Sequence, residues 1–196
     1  MVREFTQAEA DEHNALAAKG WALTKGRVVL HGTPSARPGW FSRWQLRRAI
    51  RCFEKALAIN SEGWSSMWAL GKIHQSLGDQ AVAFDWFAKA HAINPDQPDV
   101  AREASIAALD IGKVAEALAL CRAALASKPG DPGLVCNLAL AHCLAGQDKE
   151  AETCAAEATG SDPSDEISAT VLAFVRDVAS GKKTRPKKLC EVFPYG

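Results

Sequence analysis

Residues 64–97 read WSSMWALGKIHQSLGDQAVAFDWFAKAHAINPDQ, and the two 34-residue windows that follow repeat its landmarks without a slip. They are PDVAREASIAALDIGKVAEALALCRAALASKPGD (98–131) and PGLVCNLALAHCLAGQDKEAETCAAEATGSDPSD (132–165). Gly78, Gly112 and Gly146 share one column, as do Ala83, Ala117 and Ala151, then Ala90, Ala124 and Ala158, then Pro95, Pro129 and Pro163. Each column has a physical reason. The glycines stand between two amphipathic stretches, where a tight helix-to-helix turn needs a residue that tolerates positive φ. The alanines mark where helices approach too closely for a larger side chain. The prolines end the second helix and set up the next unit. The spacing therefore predicts a tandem array of helix-turn-helix units.

Working outward, Ala49, Phe53 and Ala56 in AIRCFEKALAIN fall in the register of a second helix, so a first repeat precedes Trp64. Its opening helix is displaced. HGTPSARPG occupies the expected place, and two prolines with two glycines do not make a helix interior. The first helix is assigned to about Thr6–Lys25, followed by an insertion near 26–39. Insertions in repeat arrays fall on loops of one face, often the binding face. Downstream, DEISATVLAFVRDVAS (165–180) is a lone amphipathic helix, expected to cap the apolar side of the last hairpin. The basic stretch 181–196 is expected to be a flexible or loosely docked tail.

The unit resembles the tetratricopeptide repeat, whose pattern is W-x₂-L-G-x₂-Y…A-x₃-F…P. In 64–97, Leu70-Gly71 takes the L-G place, Ala83 and Phe87 the A-x₃-F, and Pro95 the proline. The later copies put Cys121 and Ala155 where Phe is usual. The resemblance implies an all-α, right-handed solenoid of about four hairpins plus a capping helix. Its repeats are expected at about 6–63, 64–97, 98–131 and 132–165, with the cap at 166–180. It also implies a protein-interaction scaffold, not an enzyme, that takes a peptide or helix in a concave groove lined by the first helix of each repeat.

Composition is consistent with that expectation. With 23 Lys and Arg against 23 Asp and Glu there is no net field to recruit nucleic acid or an anionic membrane, so charge-driven binding must be local. No apolar run approaches the roughly 20 residues of a membrane span, and the charged start lacks the apolar core of a secretory signal. A soluble, cytoplasmic chain is expected. The six cysteines follow no C-x-x-C spacing and are expected to be reduced and packed. No phosphate loop, nucleophile elbow or metal-ligand cluster is present, and no cofactor is expected. His74 and His142, 68 residues apart, both take the tyrosine place of the repeat and are expected to pack between helices.

Helical spacing with the resemblance picks out groove candidates: Trp64, Trp68, Lys72 and Gln75 in one repeat, Arg102 and Ile106 in the next, and Asn137 in the last. Lys72, Arg102 and Asn137 partly match the carboxylate clamp of chaperone-binding family members, although Ile167 and Val171 stand where that clamp needs basic residues. All six tryptophans lie in the first 86 residues. They either fill the irregular first repeat or include an aromatic anchor for a partner. A second candidate surface joins Trp40 and Trp44 with Arg43, Arg47 and Arg51, the combination of a single-stranded nucleic-acid platform or a self-association face. The alternative to both is a solvated basic face backed by an aromatic core side, on a helix that Ala49, Phe53 and Ala56 commit to the stack.

Overall fold

The computed structural model describes residues 5–29 and 37–192, and every regular element among them is helical. The centre of the proposed insertion, 30–36, and the last four residues lie outside the described set. The chain divides into two compact units at Asn94 and Pro95.

The first unit holds two hairpins. Helix α1 (Gln7–Thr24) packs on α2 (Trp40–Ile59), and α3 (Trp64–Leu77) packs on α4 (Gln80–Ile93). Helix α1 starts at a capping box, in which the Thr6 side chain accepts from Glu9 N while the Glu9 carboxylate accepts from Thr6 N, so both strands of the first turn hold each other. Leu46, Ala49, Phe53, Ala69, Leu70 and Ile73 form the buried centre, flanked by Trp21 and Trp86. Two glycines fix how close the helices come. A Cβ on Gly20 would lie 2.7 Å from the Phe53 ring, and one on Gly71 would overlap the Phe87 ring. Each hairpin is thus a glycine socket on the first helix filled by a phenylalanine knob on the second.

The second unit continues with α5 (Pro98–Asp110), α6 (Val114–Ser127), α7 (Pro132–Leu144), α8 (Asp148–Ser161) and α9 (Glu166–Ala179). Helices α5 and α7 begin with proline at the first helical position, where the missing N–H costs nothing. The register glycines Gly78, Gly112 and Gly146 all take φ between 78° and 89°, which closes each hairpin in two or three residues. The knob and socket persist here in smaller form: Ser105 and Cys121, then Ala139 and Ala155, occupy the positions of Gly71 and Phe87, and all four are buried. As the knob shrinks from Phe to Cys to Ala, the socket no longer needs to be glycine and becomes Ser, then Ala.

Helix α9 packs against both α7 and α8. Val171, Val175 and Val178 are its buried stripe, and Ile167 on the other side is exposed. Asp165 caps it by accepting from Ile167 N and Ser168 N at 3.1 Å. Cys136 on α7 donates to Ser168 Oγ at 3.4 Å, and Arg176 pairs with Glu152 of α8 at 2.7 Å.

Of the two states expected for the tail, flexible or loosely docked, the described part takes the docked one. Residues 183–192 run back toward α5, where a 3₁₀ turn at Leu189–Glu191 packs with Leu189 buried. The reason is electrostatic and apolar together. The Arg185 guanidinium meets the C-terminal end of α7, which carries partial negative charge, the Lys183 ammonium faces the Asp177 carboxylate, and Leu189 supplies an apolar anchor.

Candidate binding surfaces

Three sets of side chains stand out, and the first is the aromatic cluster of α1 and α3. Trp68 is half-buried, with its ring 6.0 Å from that of Trp21, which in turn meets Phe53 edge-on at 5.4 Å. The ladder Phe53–Trp21–Trp68 leads from the core toward the surface. The Trp68 indole Nε1 is buried and has no hydrogen-bond partner among the described residues. A buried indole N–H normally finds one. Beside Trp21 lies an open, mostly apolar hollow of about 380 Å³, also lined by Thr24, Lys25, Gly26 and Val28. Trp64 is half-buried at the start of α3.

The polar groove candidates sit deeper than their spacing suggests. Lys72 is fully buried and Gln75 is 2% exposed, and both have interaction partners within the protein. Ile106 is also buried. Arg102 keeps a partly exposed side chain, but its guanidinium pairs with Asp99 at 2.9 Å and lies 3.8 Å from Glu103, so its charge is largely answered within α5. Asn137 is half-buried on α7. Of the residues assigned to the groove, Trp64, Trp68, Arg102 and Asn137 are open to solvent in part, and Lys72, Gln75 and Ile106 are not.

The second set is the start of α2. Trp40 is 82% exposed, and Phe41 and Trp44 are each about half exposed. Trp40 meets Phe41 edge-on at 5.9 Å, Phe41 stacks with Trp44 at 6.0 Å, and the Arg48 guanidinium lies 4.7 Å from the Trp44 ring centre. Phe41 is one turn before Trp44 and Arg48 one turn after, so the indole is flanked along the helix axis on both sides. Arg47 and Arg51 are exposed and Arg43 half-buried. Phe41 and Arg48 belong to the patch, and the expectation of an aromatic core side behind the arginines is corrected here, because Trp40, Phe41 and Trp44 pack on one another and on Arg48 along the helix surface.

The third set was not foreseen. It is the docked tail, with the turn ends of α5, α7 and α9 beneath it. Arg185 Nη1 donates to Cys143 O, and its Nη2 pairs with the Asp148 carboxylate at 2.9 Å. Lys183 N donates to Asp177 O at 3.0 Å, and Cys190 Sγ to Asp110 O at 3.7 Å. A signal was available in the alternation of KK, R and KK ahead of Leu189, which places cations at intervals along an extended strand.

The remaining reactive groups are structural. His74 Nδ1 lies 3.5 Å from the Asp79 carboxylate, and His142 Nδ1 is 2.5 Å from Gln147 Oε1, so each histidine ties its helix to the turn five residues on. All six cysteines are free thiols. Burial pushes the Cys121 thiol up to about 11 and raises Cys136, Cys143 and Cys154 as well, which keeps them protonated and unreactive at neutral pH. Among the described residues there is no cluster of three or more His, Cys, Asp or Glu able to hold a metal, and no helix long and apolar enough to cross a membrane.

Tandem helical hairpins with closing glycines and small-residue contacts define a repeat scaffold. Family models described as tetratricopeptide repeat match residues 45–98, 80–132 and 108–173, and the chain belongs to that family. Among solved structures, it is similar to MamA 41-end from Desulfovibrio magneticus RS-1 (TM-score 0.71, 17% identity, 93% of this chain and 94% of that one). It is also similar to YrrB, described as a TPR protein with an unusual peptide-binding site (TM-score 0.62, 20% identity, 76% and 75%). These likenesses are of fold. A curated relative, the transcription factor tau 131 kDa subunit of Saccharomyces cerevisiae, is 27% identical over 75 residues, and the match spans 38% of this chain and 7% of that protein. The fold is that of a protein-interaction scaffold.

Proposed function

We propose that this chain is an adaptor that holds a peptide or helix of a partner protein, and that the partner's anchor point is Trp68 with Trp64 and Trp21. The observation that carries this reading is the Trp68 indole: partly exposed, tilted against Trp21 at 6.0 Å, and with a buried N–H that no described residue satisfies. Because Nε1 itself is covered, a ligand carbonyl accepts from it where the side chains over it move aside, and the bond then forms against an apolar wall, the composition of an interface hot spot. The peptide-binding description of YrrB supports the same class of ligand. In the second unit, Arg102 and Asn137 are candidate contacts of their own, but the Asp99 pair leaves Arg102 a weak lone anchor for a carboxylate.

The test removes the N–H and keeps an aromatic ring, although a smaller one. Trp68→Phe is expected to leave the melting temperature within about 3 °C, because a roughly 0.5 kcal/mol change at a half-buried site moves it little. Pull-down of the partner, identified by mass spectrometry, is expected to fall at least fivefold. Unchanged capture with the variant would overturn the assignment of Trp68.

The exposed aromatics of α2 favour a second surface, for self-association or RNA. Of the two, RNA is the weaker, since base stacking needs open ring faces and the Trp44 ring is flanked by Phe41 and Arg48. Nuclease treatment of the same pull-down and light scattering of the purified chain separate these outcomes.

A further inference from the structure

We propose that the edge formed by the C-terminal ends of α5, α7 and α9 is a second peptide-binding site, and that residues 183–192 are its resident occupant, displaced by an extended basic segment of a partner. The occupant shows what the site takes. At the α9 end the Lys183 amide donates to Asp177 O, and the Lys183 ammonium lies 3.3 Å from the Asp177 carboxylate. At the α7 end one guanidinium bridges Cys143 O and the Asp148 carboxylate across the Gly146 turn. Next to Gly112, where a Cβ would come within 3.4 Å of Lys187 O, the strand passes close to the hairpin turn. At the α5 end Leu189 is buried and Cys190 donates to Asp110 O.

Two features make this a site, beyond a fixed clasp. The acceptors are largely main-chain carbonyls at helix termini together with Asp148 and Asp177, and they recognise any chain that brings the same donors in the same spacing. The contacts are also shallow. Lys182 and Lys183 are more than half exposed and Arg185 about a third, so one buried leucine and one two-headed arginine carry most of the hold. The partner chemistry follows by complementarity: an extended segment with an arginine, an apolar residue four positions on, and further lysine or arginine between or before them. Tethering gives the resident strand an effective concentration on the order of millimolar, so only a segment that binds well below that displaces it. The site is separate from the Trp68 anchor, which belongs to the first unit, and from Arg102, eight residues or roughly 12 Å of helix before Asp110.

The experiment titrates a fluorescent synthetic peptide of residues 181–192 into the full chain and into the Arg185→Ala, Leu189→Ala double variant, read by anisotropy. The double variant is expected to bind the peptide at least tenfold more tightly than the wild type, and a control peptide with alanine in place of its arginine to bind at least tenfold more weakly. A variant of unchanged circular dichroism that takes up no peptide, or takes both peptides equally, overturns the proposal. Should the variant lose helicity, hydrogen exchange on the wild type decides. Amides of 183–192 that exchange while α9 stays protected support displacement; exchange only together with α9 overturns it. Trp68→Phe leaves this titration unchanged, so failure of one site is distinguishable from failure of the other.

Discussion

The two units solve one packing problem with different side chains. In the first, glycine sockets at Gly20 and Gly71 receive the rings of Phe53 and Phe87, and tryptophans surround the contact. In the second, Ser105 faces Cys121 and Ala139 stands opposite Ala155, with no aromatic knob in either hairpin. A large knob concentrates burial at one position and ties it to a socket with no tolerance. Small pairs spread the same contact over many positions and leave no single residue decisive. Stability in the first unit should therefore be more sensitive to point substitution than in the second.

Truncating the knobs is the most severe way to break that comparison. Phe87→Ala empties a fully buried ring site and is expected to cost about 3–5 kcal/mol. Cys121→Ala at the matching position removes one sulfur and is expected to cost on the order of 1 kcal/mol. Denaturant unfolding followed by circular dichroism reads both. Equal costs would mean that the large knob carries no special share of the first unit.

Transplanting the pair sharpens the same point. Gly71→Ser alone drives a Cβ into the Phe87 ring and is expected to cost about 1–3 kcal/mol. Combined with Phe87→Cys it rebuilds the pair found at Ser105 and Cys121, where the serine hydroxyl also bonds back to Arg102 O at 2.7 Å. The double variant is expected to be more stable than the sum of the single losses predicts, by about 1 kcal/mol or more, since residues in direct contact couple. Strict additivity in the double-mutant cycle would show that knob and socket do not sense each other.

The comparison also explains what the sequence made legible. The 34-residue spacing of Gly78, Gly112 and Gly146 reports backbone geometry, and all three adopt the positive φ that the spacing implies. Local chemistry of this kind is written in single positions. The Gly20 socket was hidden because the inserted stretch puts it 33 residues before Phe53, where Gly71 stands 16 before Phe87. Burial of Lys72 and Gln75 and docking of the tail were not legible, because each depends on elements distant in sequence covering a helix whose own pattern reads as open. For the surfaces, exposure of Trp40 and Trp44 was not legible either, because helical spacing equally allows an aromatic side packed on the stack behind a basic face, and the half-buried state of Trp68 goes with its contact with Trp21 on another helix. Helical periodicity assigns a face; only tertiary contacts decide what covers it.

The mildest difference between the units lies at their helix starts. In the first, α2 and α3 follow Gly39 and Gly63 and have no side-chain cap. In the second, Asp131 caps α7 and Asp165 caps α9, so titrating aspartate caps occur on these two helices, while α1 has its Thr6–Glu9 box and α5, α6 and α8 have no side-chain cap. For Asp165 the Ser168 hydroxyl, with the Ile167 and Ser168 amides, holds the carboxyl below its ordinary value. For Asp131 burial pushes upward, and the Lys128 ammonium and the Leu134 amide more than offset it, so the net direction is again down. A carboxyl whose folded pKa is depressed contributes stability above its unfolded value of about 3.9, and that contribution is lost as pH falls through the lower folded value. Below about pH 4 the second unit should therefore loosen at α7 and α9 while α3, which has no such cap, is spared this loss. Hydrogen exchange at pH 5 and pH 3 is expected to show protection falling more in 132–144 and 166–179 than in 64–77. Asp165→Asn keeps an acceptor at the cap but cannot titrate, so it should reduce the acid-induced loss in α9 and leave that in α7. Equal acid loss in α9 with and without the substitution would assign the effect to general charge repulsion instead of the cap.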